Sequence, residues 1–308
     1  MSDINDYLLN VYGNFYEYLK SSPRLCKLKT MNYDTSNLPE YQDIHIEELY
    51  HLRYTYAYAF EYKYIFQDLF AKEKTTFLPT TYNMLSVGCG SGIDYWGASA
   101  AANQEGVKCK INYIGVDLVE WKYPVALRKG DSAVRLKINA VDFFSSYQAS
   151  VEKSNIILFP KSISEFDSYG IRSICNHFKK TDFKQKRIHI IASLRANNNI
   201  NSDLTRFNLL IDALKMNEHH KFTLEDDNYR RKQYSSIGEE GIRGYDSSFI
   251  YPEEAKNVLT ELYQYCDNYK RCGSTCDASC KNRLTRKPKL TAKDCNYKIA
   301  TLIRTGDS

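Results

Sequence analysis

The chain has 308 residues, 43% of them hydrophobic and 26% charged, with a formal net charge of +5, which allows one large or two modest folded domains and excludes wholesale disorder and collagen-like or mucin-like classes. No apolar run approaches the ~18 residues that a membrane-spanning helix requires, and residues 1–6 lack the basic and apolar regions of a signal peptide. The expectation is a cytoplasmic protein with no membrane partner, in which nine cysteines are unsuited to a disulfide framework.

In chain order, residues 6–20 and 47–72 carry helix formers, the second stretch with no internal Gly or Pro. Tyr54, Tyr56, Tyr58, Phe60, Tyr62, Tyr64 and Phe66 alternate strictly, which is a strand period. A thirteen-residue uniform strand is long, and Ala57, Ala59, Glu61 and Lys63 between the aromatics suit a helix. A helix is therefore expected, with the aromatic stripe as packing surface. From residue 83 the pattern changes to short apolar runs separated by helical stretches, the mark of a parallel sheet wound with helices. Strands are expected at 84–88, 112–118, 136–141, 155–159 and 187–193. Ser202 caps a helix reaching residue 216, 221–225 reads as a further strand, and Pro252 opens a helix with Glu253 and Glu254 in its first turn. Residues 226–246 are polar, contain Arg230, Arg231 and Lys232, and read as a mobile loop; 295–304 reads as a closing strand. The expected organisation is a helical region at 1–80 and an α/β domain at 81–308.

Three of only 14 glycines occupy alternate positions, Gly88, Gly90 and Gly92, at the end of the first expected strand. Such a turn lets the backbone approach a ligand closely, and the following helix start offers unpaired N–H groups. A dinucleotide fingerprint would need glycine where Ile93 stands, and a phosphate loop would need a Gly-Lys-Ser/Thr that is absent here. The next strand ends in Asp117, whose carboxylate can accept two hydrogen bonds from a ribose diol. Together these segments resemble the class I S-adenosylmethionine-dependent methyltransferases, over roughly residues 83–166 and, through strand order, to residue 304. The resemblance implies a Rossmann-like α/β fold with helices on both faces of the sheet. It also implies that S-adenosylmethionine lies along Gly88, Gly90 and Gly92 with its ribose on Asp117, and that Asp142 and Phe143 lie by the adenine. Many members carry an acid two residues before the first glycine, where this chain has Ser86. After the fourth strand, where such enzymes present groups to the acceptor, Lys161, Ser162 and Glu165 are the candidates to orient or deprotonate it. Ser162 or Ser164 can equally cap the next helix.

Cys266, Cys272, Cys276 and Cys280 follow a C-x5-C-x3-C-x3-C spacing, with Cys295 further on. Four converging thiolates make a tetrahedral zinc site, so a metal module is expected at 266–295, inserted before the last strand. An iron–sulfur cluster and unligated cysteines sharing a helix face are the alternatives. Residues 270–298 hold nine Lys or Arg against two acids, a local charge of +7 that leaves the rest of the chain at −2. That asymmetry suggests contact with a phosphate backbone. The expected function is methyl transfer to RNA. Beside it stand a small-molecule or protein acceptor and a non-catalytic S-adenosylmethionine-binding assembly factor.

Overall fold

A computed structural model describes residues 4–21, 24–32, 40–76, 79–123, 127–195, 200–233, 251–272, 284 and 294–307. The strands are β1 (Thr81–Val87), β2 (Lys110–Asp117), β3 (Ser132–Lys137), β4 (Ile156–Pro160), β5 (Arg187–Leu194), β6 (His220–Gln233) and β7 (Asp294–Asp307). The helices are α1 (Ile4–Lys20), α2 (Ile44–Thr76), α3 (Ile93–Gln104), α4 (Ala140–Ser146), α5 (Gln148–Lys153), α6 (Ser168–Lys180), α7 (Ile200–Lys215), α8 (Glu253–Thr260) and α9 (Asp267–Cys272).

The seven strands form one sheet in the order β3-β2-β1-β4-β5-β7-β6. Strands β1 to β5 pair in parallel, and β7 runs antiparallel between β5 and β6. The chain leaves β1 for β2 on one side and returns to β4 on the other, so the carboxyl ends of β1 and β4 flank a topological switch point, where open α/β sheets bind ligands. This is the Rossmann-like methyltransferase fold expected from the sequence. No described helix is long and apolar enough to cross a membrane.

Alternation along the strands sorts the sheet into two faces. Leu85, Val87, Ile157, Phe159, Ile188, Ile190, Ala192, Ala300 and Leu302 pack with Phe143, Ile171, Ile174, Phe178, Phe207 and Leu210 from α4, α6 and α7. Tyr82, Tyr113, His189, Ser193, Tyr297 and Thr301 take the opposite face, against α3 and the second half of α2. There Phe70 meets Tyr82 with ring centroids 5.2 Å apart, Tyr297 donates its hydroxyl to Asp68, and Tyr95 crosses Tyr113 at 5.8 Å. Helices therefore cover both faces.

Three expected elements are redrawn. The expected strand at 136–141 ends at Lys137, because β3 is an edge strand and its last apolar residues belong to a turn and to α4. Residues 226–233, read as loop, extend β6 in register with β7, while 234–250 lie outside the described residues. The alternating aromatics of 54–66 are helical. Most of α2 between Glu47 and Phe66 is buried, so no solvent stripe imposes a 3.6-residue period and the alternation is incidental.

The described residues gather into two compact units. One draws on the spans 1–60, 121–126 and 234–291, the other on 61–120, 127–233 and 292–308, which includes the whole sheet. In the first unit α1 buries Leu8, Val11, Phe15 and Leu19 along one helical face. Glu47 accepts main-chain N–H bonds from Lys122 and Tyr123, both at 2.8 Å. Tyr123 donates its hydroxyl to Glu48 at 2.7 Å and accepts from Asn14 at 3.0 Å. Burial alone would raise the Glu47 carboxyl, yet it sits below its usual range because His51 and those two N–H groups bond its charged form.

Candidate functional site at the carboxyl edge of the sheet

The glycine turn follows β1 directly. Gly88, Gly90 and Gly92 have φ of 73°, 55° and 82°, the left-handed region that favours glycine. A Cβ on Gly88 would overlap the side chain of Ser162 in the turn after β4, so the two carboxyl ends at the switch point meet at van der Waals distance. Gly88 and Cys89 donate their N–H groups to Val116 O at 2.8 and 3.0 Å, fastening the turn to the end of β2.

Asp117 closes the other side. Its Oδ2 accepts from Gly90 N at 2.7 Å and its Oδ1 from Val119 N at 2.8 Å. Each carboxylate oxygen keeps a second lone pair. The residues therefore fit the nucleoside the resemblance implies: a turn without side chains, the open N-terminus of α3 with no side-chain cap at Gly92, and a half-buried acid beside them.

The adenine-side candidates lie in the first turn of α4. Asp142 is exposed there, and Phe143 is fully buried with its ring stacked on Tyr147 at 5.0 Å. The Phe143 ring belongs to the core. Two residues beyond β3 stands Asn139, whose side chain accepts from Val141 N at 2.8 Å and caps α4.

Lys161, Ser162 and Glu165 are brought to the same edge in three different settings. Lys161 has φ 58° and is the non-glycine residue with positive φ among the described residues; such strain collects at functional sites. Its Nζ lies 2.7 Å from Glu61 Oε1, with side-chain exposures of 14% and 4%, and Glu61 also accepts from the Ser193 hydroxyl at the end of β5. Ser162 is buried and donates to Val87 O, so its hydroxyl serves the turn. Glu165 is exposed and pairs with Arg195.

Sequence reasoning missed Glu61, which stands a hundred residues before its partner in an aromatic helix, and Asp94, which directly follows the glycine turn. Asp94 is fully buried and accepts from Tyr113 Oη at 2.9 Å. Burial pushes its carboxyl up to about 6, against the opposing pull of Ser86, Tyr113 and the N–H groups of Asp94 and Tyr95.

Of the expected metal ligands, Cys276 and Cys280 lie outside the described residues, as does the side chain of Cys272. Cys266 and Cys295 are buried, one in each unit. Among the described residues no three His, Cys, Asp or Glu gather as a metal would require. In the basic segment, Lys270 and Arg271 are exposed on α9, whereas Lys298 is buried between Asp227 at 2.8 Å and Asn208 at 2.7 Å. Lys298 is therefore withdrawn from any phosphate contact.

No family model matches the sequence, and no curated protein matches it. Among solved structures, the plantazolicin methyltransferase BpumL, in complex with a monoazolic desmethylPZN analog and SAH, is similar at 13% identity and a TM-score of 0.38, over 94% of this chain and 98% of that one. A SAM-dependent methyltransferase from Archaeoglobus fulgidus is similar at 13% identity and 0.34, over 78% and 94%. The cyclopropane synthase MmaA2 from Mycobacterium tuberculosis is similar at 12% identity and 0.34, over 76% and 82%. At such scores the fold assignment stands on strand order and register.

Proposed function

We propose that this chain is an S-adenosylmethionine-dependent methyltransferase, with the donor held by Gly88, Gly90, Gly92 and Asp117. The observation that carries the reading is the meeting of a left-handed glycine turn with a strand-terminal carboxylate at the switch point of the sheet, joined by the bond from Gly90 N to Asp117. When bound, S-adenosylmethionine supplies a methyl group on a sulfonium centre. The chain's own residues then align the acceptor and take its proton where it has one to lose. Lys161 donates to the acceptor from a backbone held in one conformation, and the Glu61 carboxylate beneath it accepts the proton. Calorimetric titration tests the reading: both S-adenosylmethionine and S-adenosylhomocysteine should bind, and Asp117→Ala should weaken binding by ~1.5–3 kcal/mol through loss of a charged acceptor. Equal affinity in the two proteins would sink it.

RNA remains the acceptor we favour, on the charge of residues 270–298. Filter binding over a range of salt, with Arg283, Arg286 and Lys287 changed to Glu, separates RNA from a small-molecule or protein acceptor. A flat salt dependence excludes RNA. Zinc held by Cys272, Cys276 and Cys280 with Cys266 or Cys295 is the companion proposal, and elemental analysis of the purified chain decides it. Donor binding without transfer to any acceptor class would identify a binding module instead.

A further inference from the structure

We infer that Asp94 supplies the buried carboxylate that Ser86 cannot, and that a cation bound at the glycine turn draws the proton off it. The inference rests on the donor reading above and concerns a positioning residue, since Asp94 lies beneath the turn.

The layer under the turn is closed and polar. Ser86 on β1 pairs in register with Gly115 on β2, where a Cβ would run into Cys89 Sγ at 2.6 Å and the Tyr113 ring at 2.9 Å. Tyr113 donates to Asp94 Oδ1. Asp94 Oδ2 and Ser86 Oγ are both buried without a hydrogen-bond partner of good geometry. Burial costs most for the ionised carboxylate, so the free chain keeps a proton on the acid up to about pH 6. The groups facing it are few. Cys89 in the turn and Tyr113 on β2 are pushed by burial well above their ordinary values and stay neutral. Asp117 ends β2, and Arg135 on β3 donates to Ser91 O at 3.1 Å. From α2, the main chain at Tyr62 and Lys63 packs on α3 at Gly97. A positive charge arriving at the turn favours the ionised acid. Binding of a cationic nucleoside therefore releases a proton near pH 6, and affinity rises with pH from about 5 to about 7.

The test is titration calorimetry with S-adenosylmethionine at about pH 5 and about pH 7, in two buffers of different ionisation enthalpy. The wild-type chain should bind on the order of tenfold more tightly at the higher pH and release protons as it does. Asp94→Asn should bind weakly with a flat pH profile, and Ser86→Asp added to it should restore the affinity at pH 7. Wild-type affinity and pH profile in Asp94→Asn, or no proton release by the wild type, would overturn the inference while leaving the donor reading intact. A wild-type chain that binds neither S-adenosylmethionine nor S-adenosylhomocysteine at any pH would overturn the donor reading, and this inference with it. Proton release is measured on the wild type alone, so it decides the matter even if Asp94→Asn does not fold.

Discussion

The two faces of the sheet are built on opposite principles. Toward α4, α6 and α7 it is hydrocarbon, with Leu85, Val87, Ile157, Phe159, Ile188 and Ile190 meeting Phe143, Ile174 and Phe178. Toward α2 and α3 the same strands present Ser193, His189, Tyr297 and Tyr113, matched by Glu61, Glu73, Asp68 and Asp94. An apolar face tolerates exchange of its parts as long as volume is kept. A buried polar face does not, because each group left without its partner costs its desolvation. The first sets the fold, and the second sets ionisation states and positions the carboxyl edge.

The comparison can be broken by removing one large element from each face. Phe178→Ala should cost ~3–5 kcal/mol by opening a cavity, with urea unfolding showing the same loss at pH 5 and pH 8. Glu73→Gln should cost about 3 kcal/mol by leaving the buried His189, at 3.5 Å, without its carboxylate and Arg187, whose Nη2 lies 2.9 Å from it, with Glu225 alone. That loss should depend on pH. Burial would raise Glu73, but bonds and charge from His189 and Arg187 hold it below its usual range. Its stabilisation is thus present above the carboxylate pKa of the unfolded chain and disappears as pH falls through the lower folded value. Wild type and Glu73→Gln should converge in acid. A constant difference at every pH would reduce Glu73 to a packing residue.

Asp94 on the same face should give the opposite sign. Its folded pKa of about 6 stands above its unfolded value of 3.8, so between those values the folded state keeps a proton that the unfolded state has lost, and stability falls as pH rises. At pH 7 the penalty approaches about 3 kcal/mol. Asp94→Asn should remove this fall, gaining on the wild type between about pH 4 and about pH 7. Parallel stability curves for the two proteins would show that Asp94 does not titrate there.

The apolar face was largely legible in the sequence because buried parallel strands are short apolar runs, and the glycine turn marked the end of β1 without ambiguity. Edge strands were not: β3 alternates exposed and partly buried residues, so Ile138, Ala140 and Val141 beyond it drew the expected strand forward. The polar end of β6 resembled a loop for the same reason. The polar face hid its pairs altogether. Lys161 was singled out by its place after β4, but Glu61 reaches it only through tertiary packing and has no local pattern. Asp94 stood beside the glycines, yet nothing in the sequence distinguishes a buried acid from the exposed first-turn acids common in helices.

The smallest expected effect isolates backbone strain at Lys161. Its left-handed conformation costs a non-glycine residue about 1 kcal/mol, and it is fixed by the bond from Lys161 N to Ser193 O at 3.0 Å and by the ion pair to Glu61. Lys161→Ala and Lys161→Gly both delete the cation over Glu61, so their shared loss reports the pair. They differ only in that glycine relieves the strain, offset by a little of its greater freedom in the unfolded chain. Urea unfolding should therefore place Lys161→Gly above Lys161→Ala by a few tenths to about 1 kcal/mol, with donor affinity equal in the two. The reverse order would mean that the turn after β4 relaxes once the ammonium is gone, and that Glu61 was holding the backbone in its strained form through Lys161.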